Sequence, residues 1–160
     1  MKKIYIAGPD VFEKDSIEIG KSLVALCKEY GYEGLYPLDN LVDFSQTKHK
    51  IAQDIYDANV EMIRSADIVI ANLSSFRGKE SDSGTVWECG YANALGKKVL
   101  AYLDREGNYI DQFDGLAFDD KERFIEDFDH PVNLMIACSC KSILHGSFED
   151  VLKYLSDSKA

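Results

Sequence analysis

Asp82 and Glu88 stand in the stretch Ser81-Asp82-Ser83-Gly84-Thr85-Val86-Trp87-Glu88-Cys89-Gly90-Tyr91, where a polar loop gives way to a helix start. Val86, Trp87 and Tyr91 should partly desolvate the pair. Burial raises a carboxylate's pKa, and a neighbouring charge splits two that lie close together. Two carboxylates in unlike environments suit cleavage of a glycosidic bond, one as nucleophile and one as acid. The helix N-terminus favours negative charge, which predicts an ionised Glu88 one turn in. Asp82, just before the helix, is placed to exchange a proton with a ligand. Plainer readings stand beside these: Thr85-x-x-Glu88 also fits a capping box, and Asp82 an N-cap.

Several elements must position that pair. Lys3 to Ala7 reads as a short apolar strand broken by Gly8-Pro9. Ile19, Leu23, Leu26, Cys27 and Tyr30 recur at helical spacing, with Gly31 as the stop. Residues 34–37 suggest a second strand and 38–40 a turn. Ile51, Ile55, Ala58, Met62 and Ile63 mark a second helix. The continuous apolar run 67–73 fits a strand buried on both faces. A polar loop, 74–83, leads into a helix over 84–95, and 98–103 is another buried strand. A short helix over 131–137, a strand over 142–144 and a terminal helix opened by Ser147 and Asp150 complete the pattern. Alternation with short connections predicts an α/β, flavodoxin-like, doubly wound sheet of about five parallel strands with helices on both faces. The whole of 1–160 reads as one domain.

In such sheets ligands bind beyond the carboxyl ends of the strands, at the switch point. The loop Gly8-Pro9-Asp10-Val11-Phe12 and the loop 74–83 flank that crevice. Taken singly, Tyr5 reads as core, Asn59 as a helix boundary residue and Asn133 as a cap. Residues 104–130 break the rhythm, with ten acidic and three basic residues among scattered aromatics. So long a connection is a functional loop or lid, or else a solvated acidic excursion.

A net charge of −10 repels phosphate backbones, which argues against nucleic acid while leaving small nucleosides as ligands. The apolar run after Met1-Lys2-Lys3 is too short for a signal peptide or membrane span, so a cytoplasmic location is expected. Cys27, Cys89, Cys138 and Cys140 form no C-x-x-C pair and are expected as reduced thiols. His49, His130 and His145 are scattered, and neither a metal nor a cofactor is expected.

The chain resembles the nucleoside 2-deoxyribosyltransferase family from its first strand to its last helix. The matching pieces are Ile4-Tyr5-Ile6-Ala7-Gly8-Pro9, Pro37-Leu38-Asp39-Asn40, Asn59, residues 67–73 and Ser74-Ser75-Phe76-Arg77-Gly78. The ordered motifs D-x-G-T-x-x-E-x-G (Asp82 to Gly90) and P-x-N-L-M (Pro131 to Met135) are the specific part. The resemblance implies exchange of the nucleobase of a 2′-deoxynucleoside with retention at C1′, a function in nucleoside salvage. It implies Glu88 as nucleophile forming a covalent deoxyribosyl-enzyme, Asp82 as the group that protonates the departing base, and Tyr5 as the residue that holds the nucleophile. It implies substrate contacts from Gly8, Pro9, Phe12, Asp39, Asn59, Gly84, Asn133 and Met135. Asn133 would reach the sugar hydroxyls from a neighbouring subunit of a homo-oligomer, at least a dimer. The implied partners are deoxynucleosides and free nucleobases. Asn59 departs from members with aspartate there, and Asp10 from members with an apolar or aromatic residue.

Two other functions remain open at this stage. A deoxynucleoside or deoxynucleotide N-glycosidase could use the same glutamate and give the sugar to water, with Ser74, Ser75 and Arg77-Gly78 as part of a phosphate cradle. A flavodoxin-like binding or signalling module is the more distant reading, since the first loop lacks paired acids and residues 142–146 lack a lysine.

Overall fold

The computed structural model describes residues 1–39 and 43–158, with Asp39 described by its backbone alone. The strands are β1 (Lys2–Ala7), β2 (Tyr32–Leu35), β3 (Ile68–Asn72), β4 (Lys98–Leu103) and β5 (Ser142–His145). They pair in parallel in the order β2-β1-β3-β4-β5, the flavodoxin-like order that the alternation predicts. The α-helices are α1 (Ser16–Glu29), α2 (Lys48–Ser65), α3 (Ser83–Ala94), α4 (Leu134–Ser139) and α5 (Phe148–Asp157). Among the described residues no helix is long and apolar enough to cross a membrane.

The strand period of two divides the core into layers. Tyr5, Ala7, Val69, Ala71, Val99 and Ala101 pack with Ile63 of α2, Cys89 and Ala92 of α3 and Ala137 of α4. Their alternates Ile4, Ile6, Ile68, Ile70, Leu100 and Tyr102 pack with Cys27 of α1 and with Phe148, Val151, Leu152 and Leu155 of α5. Alanines on the first face let α2, α3 and α4 lie close to the sheet. That closeness brings α3 against the end of β1.

Some boundaries differ from expectation for local reasons. Gly31, at φ 79°, closes α1 in the left-handed region, and the chain enters the sheet at once with buried Tyr32 instead of at Gly34. Pro37 opens a 3-10 turn, Pro37–Asp39, instead of extending the strand. The helix expected over 131–137 begins only at Leu134, because Asn133 is its N-cap and accepts the Met135 N–H at 3.0 Å. The terminal helix follows its pattern: Ser147 and Asp150 form the capping box, and all four apolar residues of its face are buried.

Residues 104–130 form neither strand nor α-helix. They hold the 3-10 segment Tyr109–Phe113 and an isolated antiparallel bridge between Phe118 and Phe124. Asp114, Glu122 and Asp129 turn the chain at positive φ. The excursion docks on its neighbours: the Tyr109 hydroxyl donates to Glu80, Lys79 donates to the Gln112 carbonyl, and the Tyr109 N–H donates to the His130 carbonyl at 2.7 Å.

Candidate active site

The functional side chains gather where β1 and β3 end and the strand order reverses. Glu88 lies in the second turn of α3, and its Oε1 accepts the hydroxyl proton of Tyr5 at 2.6 Å. Tyr5 is fully buried in β1, so the glutamate is tied to the least yielding part of the sheet. Burial, followed by the charge of Glu88, pushes the Tyr5 hydroxyl far above its ordinary range, so it remains a donor. Burial also pushes the Glu88 carboxyl up to about 7. The bond from Tyr5 opposes that rise, and the charge of Asp82 adds to it. The helix N-terminus, expected to hold Glu88 ionised, is therefore outweighed by desolvation. No capping box forms with Thr85, whose backbone N–H and hydroxyl both donate at 2.9 Å to Asp82 Oδ2.

Asp82 is the N-cap of α3. Capping engages Oδ2 alone, and the structure gives Oδ1 no partner among the described residues. The residue is thus both cap and cavity wall. Gly84 sits beside it in the first turn; a Cβ there would stand 3.2 Å from Asp82 Oδ2. Gly8 approaches β3 so closely that a Cβ would meet the Asn72 Cβ at 2.9 Å. Glycine at these two positions keeps the wall open and Asp82 unhindered.

The resulting cavity has a volume of about 560 Å³, within the roughly 300–1,000 Å³ usual for small-molecule sites. Gly8, Phe12, Asn59, Asp82, Gly84 and Glu88 line it, all expected contacts. Asn59 stands one turn after Ile55 on α2, so both face the cavity. Tyr5 lies behind the wall, and Pro9 begins the 3-10 segment Pro9–Phe12 without lining it. The side chain of Asp39 falls outside the described residues. Asn133 and Met135 do not line it either, and Met135 is 73% exposed. None of residues 104–130 covers it. Ser74, Ser75 and Arg77 are likewise absent from its wall; Ser74 accepts the Asp104 N–H at 3.1 Å, and the Arg77 guanidinium lies over the rings of Phe76 and Phe12.

The wall also holds Val11, Ile17, Leu38, Phe44, Ile55 and Thr85, which the motifs did not single out as contacts. Ile17, Phe44 and Ile55 are exposed apolar side chains gathered around one opening, a feature that marks a ligand groove. Only their assembly reveals it, because each taken alone is an ordinary surface residue. A second opening of about 330 Å³ shares Asn59, Gly84 and Glu88 and adds Tyr56 and Trp87. Another cavity, of about 460 Å³, lies near Lys97, Lys98 and Lys141 and contains no carboxylate. Among the described residues no group of three or more His, Cys, Asp or Glu could hold a metal ion, and all four cysteines are free.

Fold and site together define an α/β protein with a half-buried, tyrosine-held glutamate and a second acid on an apolar-walled cavity of nucleoside size. The family model for nucleoside 2-deoxyribosyltransferase matches residues 4–135, and the chain belongs to that family. A 2-deoxyribosyltransferase from Leishmania mexicana is 35% identical, with a TM-score of 0.84 and all of both chains covered. A 2-deoxyribosyltransferase from Bacillus psychrosaccharolyticus, 22% identical with a TM-score of 0.66 over 95% of this chain and 91% of that one, shares the fold. An uncharacterized Schizosaccharomyces pombe protein, C191.05c, is 30% identical over 106 residues, which span 62% of this chain and 48% of that protein.

Proposed function

We propose that this protein exchanges the nucleobase of a 2′-deoxynucleoside by two displacements at C1′. Ionised Glu88 attacks C1′ with an oxygen while the C1′–N bond breaks and its electron pair leaves with the base. A proton from Asp82 neutralises the departing nitrogen. An incoming base, deprotonated by Asp82, then attacks C1′ and releases Glu88. Two inversions give net retention, and Asp82 serves as acid and then as base.

One observation supports this reading above the rest: the cavity-lining carboxyl of Glu88 is fixed by the Tyr5 hydroxyl, with Asp82 on the same wall. The bond to Oε1 leaves Oε2 available for attack. A carboxyl near 7 is partly ionised at neutral pH, and its burial makes the anion more reactive than a hydrated one. Apolar walls suit the base. The L. mexicana relative, matched over its full length and described as a 2-deoxyribosyltransferase, supports the transferred group.

The protein acts as a homo-oligomer on this reading, with Asn133 and Met135 of a neighbouring copy completing the sugar end of the cavity. Their absence from the cavity wall of their own chain, and the exposure of Met135, support that arrangement. The decisive experiment is intact-protein mass spectrometry after mixing with a 2′-deoxynucleoside. A deoxyribosyl adduct on Glu88 is expected, to be discharged by an acceptor base. An enzyme that exchanges bases without an adduct would refute the covalent route. Release of deoxyribose regardless of acceptor base would put water in the place of the second base.

A further inference from the structure

Glu126 stands in the acidic excursion, seven residues before Asn133, and its carboxylate is turned inward onto that residue. Its Oε1 accepts a proton of the Asn133 side-chain amide, and its Oε2 accepts the Leu134 N–H at 2.8 Å. The other end of the same amide is also engaged, since Asn133 Oδ1 accepts the Met135 N–H at 3.0 Å. The amide is therefore held at both ends, and one of its two N–H protons is left for a ligand. Hydrogen bonds to a carboxylate are stronger than neutral ones, so this orientation is well fixed.

The segment before Glu126 is anchored. Ile125 is buried and donates its N–H to the Ala117 carbonyl at 2.9 Å. Tyr109, beside Glu126 on the wall of a cleft of about 510 Å³, donates to Glu80 of the β3–α3 loop. The excursion thus ties α4 to the loop that leads into Asp82 and α3. A cap alone would not need this construction, because Asn133 already caps the helix through Oδ1. The bond from Glu126 Oε1 to the amide nitrogen is the surplus feature.

We infer that Glu126 is a positioning residue for substrate binding, which sets the Asn133 amide so that its remaining N–H meets a sugar hydroxyl in the cavity of a neighbouring copy. This rests on the proposed deoxyribosyl transfer. It gives the acidic excursion a task within the site: to orient, at a distance, the residue that reads the sugar.

Steady-state kinetics with 2′-deoxyinosine or thymidine as donor and free adenine as acceptor test it, with the corresponding 2′,3′-dideoxy and 2′,5′-dideoxy donors as controls. Glu126→Ala is expected to raise KM about tenfold while kcat changes less than about threefold, because the lost contact is made equally in ground and transition states. That loss should vanish with the donor that lacks the contacted hydroxyl. Asn133→Ala should show the same pattern, and the double variant should be no worse than either single one. Glu126→Gln, which keeps a carbonyl acceptor for the amide, should fall between wild type and Glu126→Ala, and it serves if the alanine variant fails to fold. Two results overturn the inference alone. One is wild-type kinetics in Glu126→Ala or Glu126→Gln where Asn133→Ala is impaired. The other is a loss additive with that of Asn133→Ala and equal for all donors, the mark of a purely structural cap. A wild-type protein that transfers deoxyribose to neither base nor water overturns the proposed function beneath it, and shows this before any variant is made.

Discussion

Glu88 and Asp119 are carboxylates on segments that follow β3 and β4, and the protein moves them in opposite directions. Burial pushes Glu88 up to about 7, with a tyrosine hydroxyl as its hydrogen-bond partner. Arg123 and the backbone N–H groups of Arg123 and Lys121 hold Asp119 down to about 2. The excursion places its acids where water and donors satisfy them. The cavity wall keeps one acid short of both. A carboxyl held against its preference is poised to react, whereas one satisfied on every side is settled, and perturbation by desolvation next to a second acid in a cleft marks function. The direction of the shift separates the two regions, and its cause, burial on one side and donated hydrogen bonds on the other, says why.

The largest effect that would break the contrast is chemical. Glu88→Gln keeps the volume and an acceptor for Tyr5 but removes the proposed nucleophile, and base exchange should fall by roughly 10³-fold or more. Retained exchange would place Glu88 with the satisfied acids. Asp82→Asn comes next. Asparagine caps as well as aspartate does, so thermal stability should hardly move, while exchange slows by roughly 10²–10³-fold because an amide delivers no proton. A collapse of Tm with unaltered activity would reduce Asp82 to its capping role.

Tyr5→Phe sharpens the electrostatics. The hydroxyl lowers the carboxyl that burial raises, so its removal should move Glu88 above about 7. On the proposed mechanism the ionised form attacks, so kcat/KM should climb with pH through about 7 in the wild type and at a higher pH in the variant. For a rise of about one pKa unit, a loss of about fivefold at pH 7 is expected, growing towards tenfold in acid and vanishing in alkali. A loss independent of pH would mean that Tyr5 acts only as packing.

The fold was legible because its signals are local and repeated. β-branched runs, helical spacings and glycine stops each say the same thing, and the alternation leaves few topologies. Glu88 and Asp82 were legible because their types and spacing have chemical reasons, whereas Gly8 and Gly84 were implied only by the family resemblance. Asp82 also reads as a cap, and it is one. What stayed hidden depends on three-dimensional closure. Phe44 and Ile17 lie far apart in sequence and look like stray surface residues until the cavity gathers them. The sign of the Glu88 shift was ambiguous too, since helix dipole and burial oppose each other and only the structure gives the depth of burial. Glu126 was one of ten acids in the excursion, and nothing in the sequence marks which of them turns inward.

The same half-buried carboxyl predicts a cost in stability. The folded-state pKa of Glu88, about 7, lies above its ordinary 4.5, so the folded state holds a proton that the unfolded chain releases. Its contribution is fully present below pH 4.5 and is lost as pH rises through about 7. Glu88→Gln should therefore be more stable than wild type at pH 8, by at most about 3 kcal/mol, and the gain should fade by pH 5. Thermal melts at both pH values check this. An inactive variant less stable at pH 8 would show that the ionised carboxylate is well accommodated.

The smallest effect belongs to the other side of the comparison. Arg123 donates to Asp119 through Nε at 2.7 Å, and the pair closes the turn between Phe118 and Phe124. The guanidinium side chain is 69% exposed, so water competes for both partners and salt screens them. Arg123→Ala should shift Tm at neutral pH by only about 1 °C and leave base exchange unchanged. Asp119 has a folded pKa depressed to about 2 from 3.8, so what the pair contributes is present above pH 3.8 and lost as pH falls toward 2. The gap between variant and wild type should accordingly close on acidification, as the Glu88→Gln gap does, but with the opposite sign, wild type being the more stable here. A large drop in Tm at pH 7, or slower base exchange, would show that the acidic excursion carries strain or catalytic duty at Asp119 and would erase the distinction between the two regions.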